Sequence, residues 1–199
     1  MPEGAGTAGV LLDVDGTLLD TNHLHALAWW RALRRHGRTF PMHRIHRLVG
    51  MGGDKLVPEL AGEDIEGASD DWSEEFHRLS HEVTLLPGAR DLVRVLHEEG
   101  LVVVLASSAP GDDVERFREL LDVDRWLAGS TSSDDADGSK PDPDIFEVAM
   151  DRFGLDPTQT VAVGDEIGAA RADRRARIAS VRVEAGGKEL SQLLDEGAL

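Results

Sequence analysis

Val10-Leu11-Leu12-Asp13-Val14-Asp15-Gly16-Thr17-Leu18 is the stretch from which the rest of the chain is read. An apolar run ends in two carboxylates one residue apart, followed by a Gly-Thr turn. Val10, Leu11, Leu12 and Val14 suit a strand covered on both faces, where apolar residues run on without alternating. Side chains alternate along a strand, so Asp13 and Asp15 would leave it on the same side, at its carboxyl end. In open α/β sheets that end is where ligands bind. Gly16 permits a sharp turn that brings backbone amides near the acids. Two acids so close repel each other unless a cation or a proton sits between them, which points to a Mg²⁺ site or an acid/base pair. An ordinary strand-end turn with solvated aspartates gives the same local pattern, so the decision falls to the rest of the chain.

Downstream, the pattern turns helical. Leu24, Leu27, Ala28 and Leu33 recur at helical spacing over residues 23–36, with Asp20, Thr21 or Asn22 as cap. Pro41 starts a short helix to about Val49. Gly50-Met51-Gly52-Gly53 breaks it, and Asp54 can cap the next helix, 55–60. Residues 62–70 are polar loop, 71–83 a further helix, and Pro87-Gly88 closes the block. From there strands and helices alternate: helix 89–99, strand 101–106, helix 112–121, strand 126–129, helix 143–153, strand 160–163, helix 169–177 and strand 180–183. Residues 131–139 read as polar loop. This alternation predicts an α/β fold, a doubly wound (Rossmann-like) parallel sheet with helices on both faces. The all-helical block interrupts it as an inserted small α-helical cap. The domains expected are 1–19 with 86–199 for the core and 20–85 for the cap.

Composition narrows the class. The 199 residues suffice for one core domain and a small insertion. There is no cysteine, which excludes disulfides, thiolate metal sites and cysteine nucleophiles. A net charge of −17 argues against nucleic acid as partner, which requires a basic face. It also opposes an anionic substrate at long range, so a phosphate site here has to be locally cationic. Residues 1–9 have no basic region and no apolar stretch of signal-peptide length, and no segment is long enough to span a bilayer. The expectation is a cytoplasmic protein with no membrane partner, a monomer or homodimer.

Three further segments carry chemistry. Ser107 and Ser108 follow the strand Leu101–Ala106, where a hydroxyl can meet a phosphate oxygen, aided by amides at the start of the next helix. In Ser139-Lys140-Pro141-Asp142-Pro143-Asp144-Ile145-Phe146, two prolines fix the backbone around Lys140, the only lysine between Lys55 and Lys188. Val161-Ala162-Val163-Gly164-Asp165-Glu166 is another apolar strand ending in acid.

Together these four segments resemble the motifs of the haloacid dehalogenase-like hydrolases: DxDG[T/V], a strand-ending Ser or Thr, (G/S)KPxPxxF and GDxxxD, in that order over almost the whole chain. The resemblance implies Asp13 as the nucleophile that attacks phosphorus and Asp15 as general acid/base. It implies Ser107, with Ser108 beside it, at the phosphate, and Lys140 bridging Asp13 and the phosphoryl group. It implies a Mg²⁺ cofactor held by Asp13, the Asp15 backbone carbonyl and Asp165. The fourth motif departs from the pattern, because Ala169 stands where its second acid is usual; Glu166 is the preferred substitute, acting through a water, and Asp173 another. The insertion falls where the family's helical cap sits. His25-Ala26-Leu27-Ala28-Trp29 is similar to an HxxAW pattern of the phosphatase and sugar-phosphate mutase branch, in which the His couples cap closure to the acid/base Asp. An incidental helix histidine is the plainer reading. Gly50 to Lys55 is expected to face substrate, Lys55 meeting an anionic or hydroxylated group. In the mutases an Arg in this stretch holds the distal phosphate, and Gly53 occupies its place here.

The function implied is a Mg²⁺-dependent phosphohydrolase that removes phosphate from a small phosphorylated metabolite through an aspartyl-phosphate. A β-phosphoglucomutase-like mutase is the first alternative and a catalytically weak binding or regulatory protein of the same fold the second. Trp29 and Trp30 are expected in cap packing, and His43 and His46 on the surface.

Overall fold

Five strands form one parallel sheet, its centre built from apolar runs. In the computed structural model, which describes residues 7–135, 144–165 and 179–182, β1 spans Thr7–Leu12, β2 Val102–Ala106, β3 Gly129–Thr131, β4 Leu155–Gly164 and β5 Ala179–Arg182. Their order across the sheet is β3-β2-β1-β4-β5. All four pairings are parallel; Leu12 sits beside Leu105 on one side and Val163 on the other. The chain winds outward from β1 through β2 to β3, then crosses back to β4 and winds the other way. The order therefore reverses between β1 and β4, the position at which α/β sheets open a crevice at their carboxyl ends.

Alternation explains why these strands read as continuous apolar runs. Leu11, Val104, Ala106 and Ala162 pack with Ile145, Phe146, Ala149 and Met150 of the helix Asp144–Phe153. The intervening Leu12, Val103, Leu105 and Val163 project to the other face and are equally buried. Helices Ala89–Glu98 and Gly111–Leu121 complete the α/β part, which is the doubly wound class expected from the sequence. Among the described residues no helix is long and apolar enough to cross a membrane.

The chain divides into two compact units, Met1–Leu19 with Leu85–Leu199, and Asp20–Thr84. The second contains α1 Asn22–Arg35, α2 Met42–His46, α3 Gly53–Ala61 and α4 Ala68–Leu79, so the helices just described are α5 (Ala89–Glu98), α6 (Gly111–Leu121) and α7 (Asp144–Phe153). Its core is Ala26, Trp29, Leu33, Ile45, Leu56, Val57, Leu60 and Ala68. Arginines of α1 clamp α4: Arg35 bonds Asp71 at 2.7 Å and Glu74 at 2.6 Å, and reaches Glu75 as well. The Arg35 guanidinium holds the carboxyls of Asp71 and Glu74 below their usual range.

Several local expectations change. The strand expected over 126–129 begins only at its last residue: Asp124–Trp126 is a 3₁₀ turn with Arg125 over the Trp126 ring, and β3 starts at Gly129, where pairing with Val104 sets it. β4 begins earlier than expected, at Leu155, and is irregular, since Thr7 pairs with Leu155 but Gly9 with Thr160. The extra residues are taken up by a turn in which Asp156 accepts from the Thr158 amide and hydroxyl, at 2.8 and 2.7 Å. The helix expected over 41–49 is only Met42–His46, and that over 71–83 runs Ala68–Leu79 before a 3₁₀ turn. No side chain caps α1 at Thr21, and Gly52 rather than Asp54 precedes α3. The helix expected over 169–177 lies outside the described residues.

Candidate active site

β1 stops at Leu12, so Asp13 and Asp15 stand just past the strand rather than on it. The turn that follows is tightly determined. The amides of Thr17, Leu18 and Leu19 converge on the Val14 carbonyl at 3.3, 2.9 and 3.0 Å, and the Gly16 amide bonds the Leu19 carbonyl at 2.8 Å. Gly16 has φ +70°, a left-handed conformation that a glycine adopts without strain. Asp13 is 2% exposed, while Asp15 is only half-buried.

Asp165 follows β4, the strand next to β1, and is 9% exposed. The two tips are joined twice. The Asp13 amide donates to the Val163 carbonyl at 2.9 Å. The Asp165 amide donates to the Thr17 hydroxyl at 3.0 Å, and that hydroxyl donates to Asp13 Oδ2 at 3.4 Å. Thr17 is fully buried and was not among the residues expected at the site. Its Gly-Thr turn position was the only available signal, and that pointed to backbone geometry rather than to a bridging hydroxyl.

On the other side of β1, β2 delivers Ser107. Its amide donates to the Thr131 carbonyl at 3.2 Å, and its Oγ accepts the Ala109 amide at 3.0 Å. A hydroxyl that accepts one bond keeps its proton for another acceptor. The Ser108 Oγ is buried without a hydrogen-bond partner among the described residues. The amino end of α6 is less open to an anion than expected, because the Asp134 carboxylate already accepts the Gly111 amide at 3.0 Å. What Ser107 and Ser108 offer at the end of β2 is therefore hydroxyls rather than open helix amides. Behind them, Asp135 is fixed by the Ser132 amide at 2.9 Å, the Ser132 hydroxyl at 3.1 Å and Arg152 at 2.6 Å.

Asp13 and Asp165 thus stand past the ends of adjacent strands, and the donors expected for a metal here, these two carboxylates and the Asp15 carbonyl, are all oxygen. Hard oxygen donors with two carboxylates are what Mg²⁺ takes, and a divalent cation offsets the repulsion of two buried acids on neighbouring strands. Among the described residues no three His, Cys, Asp or Glu side chains gather to hold a metal, at these strand tips or elsewhere. Lys140 and Glu166 lie outside the described residues, as does Ala169.

Within the helical unit, His25 of α1 is 8% exposed and lies in an aromatic row. Its ring stacks on Phe76 at 4.1 Å and on Trp72 at 5.6 Å, and Trp72 stacks on Trp29 at 5.2 Å. Trp29 is core, as expected, and Trp30 carries the Arg34 guanidinium on its ring at 4.4 Å. Lys55 is half-buried in the first turn of α3. His43 is exposed, but His46 is half-buried, 4.7 Å from the His23 ring.

Comparison with known proteins bears on what such a site does. A family model described as haloacid dehalogenase-like hydrolase matches residues 7–176. A Drosophila melanogaster protein named "Probable pseudouridine-5'-phosphatase" is 33% identical over 159 residues, 74% of this chain and 68% of its own. A Pseudomonas fluorescens phosphoglycolate phosphatase is 29% identical over 167 residues, 78% of this chain but 61% of its own length. The crystal structure of a hydrolase from Pseudomonas syringae superposes with a TM-score of 0.82 at 30% identity, covering 95% of this chain and 90% of that one. A family match over most of the length, on a doubly wound sheet with acids at both strand tips of its crevice, identifies the chain as belonging to the haloacid dehalogenase-like hydrolases.

Proposed function

We propose that this hydrolase is a Mg²⁺-dependent phosphatase acting on a small phosphorylated metabolite through an aspartyl-phosphate formed on Asp13. The observation that carries the reading is the pair of buried acids, Asp13 and Asp165, at adjacent strand tips where the sheet order reverses. The family's activity and the phosphatase names of its relatives support the reaction class.

In this reading Asp13 Oδ attacks phosphorus in line, the P–O bond to the leaving group breaks, and Asp15 gives that oxygen its proton. Asp15 then takes a proton from water as the water attacks the aspartyl-phosphate, releasing phosphate and regenerating Asp13. Partial exposure suits Asp15 to this work, since it has to exchange protons with water in each cycle. Ser107 and Ser108 donate to the non-bridging oxygens. Mg²⁺, when bound by Asp13, Asp165 and the Asp15 carbonyl, supplies positive charge against the oxygens of the transferring group. Lys140 and Glu166 keep the roles proposed from sequence, bridging Asp13 to the phosphoryl group and holding a water. The helical segment 20–85 keeps the cap role expected from the sequence, with His25 and Lys55 as its candidate residues.

The mutase reading is less favoured. A Cβ on Gly53 would lie 2.7 Å from Ser69 Oγ and 3.0 Å from the Trp29 ring. A long cation for a distal phosphate has no easy root at that position. A screen of phosphorylated metabolites with Mg²⁺, using Asp13→Asn as the blank, tests the proposal. The expected result is phosphate release from a subset of the compounds and none by the blank. Activity of Asp13→Asn within about tenfold of wild type would remove Asp13 as nucleophile. Isomerisation of a hexose 1-phosphate without phosphate release would favour the mutase, and no turnover of any compound the binding protein.

A further inference from the structure

In a parallel ladder every second residue of a strand donates to the residue before its partner and accepts from the residue after it, at even spacing. β1 and β4 follow this pattern to the pair Leu12 and Val163, and the Asp13 amide still donates to the Val163 carbonyl at 2.9 Å. The next rung of a continued ladder would run from the Asp165 amide to the Asp13 carbonyl. That amide turns instead to the Thr17 hydroxyl, at 3.0 Å. The hydroxyl in turn donates to Asp13 Oδ2 at 3.4 Å. One fully buried side chain thus takes the place of a rung, holding the backbone of one strand tip and the carboxylate of the other. Thr17 is itself held in the turn by its amide on the Val14 carbonyl.

We infer that Thr17 is a positioning residue that sets the placement of Asp165 against Asp13. Its consequence for metal binding rests on the reading of both acids as ligands of one Mg²⁺. The role needs a donor and an acceptor on one small atom, which threonine and serine have and valine, of the same shape as threonine, lacks. Without the hydroxyl the Asp165 amide either stays buried without an acceptor or falls back on the Asp13 carbonyl. The second outcome lengthens the ladder and draws Asp165 along β1. Either changes how the second carboxylate meets the first.

Thr17→Val and Thr17→Ser in the full chain test this, with Mn²⁺ affinity and amide hydrogen exchange at Asp165 as readouts independent of turnover. Thr17→Val is expected to weaken Mn²⁺ binding by about tenfold or more, in the range found for groups that orient metal ligands. It is also expected to move Asp165 exchange off the wild-type rate, faster by about tenfold if the amide is left without an acceptor and slower if it joins the ladder, with Thr17→Ser restoring both readouts to within about threefold of wild type. Wild-type affinity together with unchanged exchange in Thr17→Val would overturn the inference. If Thr17→Val does not fold, Asp165 exchange in the wild type decides: protection like that of Val163 supports the inference, and exchange as fast as an open loop amide overturns it. A wild type that binds no Mn²⁺ would defeat the metal reading, while the exchange comparison would still judge Thr17.

Discussion

The imidazole of His25 lies flat on the ring of Phe76, their centroids 4.1 Å apart and their planes 14° from parallel. Phe76 is fully buried and comes from α4, so the plane of a side chain on α1 is set by a different helix. Beside it, Glu75 is buried among Arg31, Arg35 and Arg78, which fixes the rotation of α4. Phe76→Ala is expected to lower stability by about 3–5 kcal/mol, as for buried aromatics generally. Urea unfolding checks it; a loss below about 1 kcal/mol would mean that the row is not closely packed.

Ser108 gives a prediction in which stability and function part. Its Oγ is buried with no hydrogen-bond partner among the described residues, and such a hydroxyl adds nothing to the fold. Ser108→Ala is expected to leave the thermal midpoint unchanged or higher while weakening inhibition by inorganic phosphate severalfold. A lower midpoint with unchanged phosphate inhibition would show that the hydroxyl serves the fold.

For Asp15, the acid/base reading sets a size for the defect. Asp15→Asn is expected to lower kcat by about 10²–10⁴-fold while the protein still binds phosphate. Leaving groups of low pKa, such as p-nitrophenolate, need less protonation, so the defect should shrink with them. An equal defect for all leaving groups counts against Asp15 as the acid.

His46 carries a pH prediction. Burial first, and the neighbouring His23 second, lower its pKa below the ordinary imidazole value. The folded state then binds fewer protons than the unfolded state between the ordinary value near pH 6.5 and its own lowered value, so this group's contribution to stability is complete above about pH 6.5 and is lost as pH falls from there through the lowered value. Acid also relieves repulsion in a chain of charge −17, so the comparison with His46→Gln carries the test. Wild type should lose more stability than His46→Gln between pH 7.5 and about 5.5. Parallel curves would refute it.

The fold class is legible in the sequence because the central strands are buried on both faces. Leu11-Leu12 and Val161-Ala162-Val163 are unbroken apolar runs, and each ends in acid where its strand ends. β3 is placed too early because Gly129-Ser130-Thr131 is a three-residue edge strand, made by its pairing with β2 rather than by its own composition. Thr17 escapes notice for a different reason. Its partner lies 148 residues away, and local spacing carries no information about which hydroxyl reaches across a sheet. His46 is misjudged because i, i+3 spacing gives a helix face but not whether a second helix covers it. The aromatic row of His25, Phe76, Trp72 and Trp29 joins two helices more than thirty positions apart, beyond the reach of any window that reads one helix at a time.

The chain leaves and re-enters the sheet domain through paired main chain. Leu19 bridges Leu85 in antiparallel fashion, the Leu86 amide bonds the Leu18 carbonyl at 2.9 Å, and the Asp20 amide bonds the Thr84 carbonyl at 2.8 Å. A module whose two ends already meet adds little loop-closure entropy to its host. The stretch from Asp20 to Thr84 is in that sense a cassette. It could be trimmed to a hairpin, or traded for another helical piece with abutting termini, while the strand pairing below the junction keeps its register.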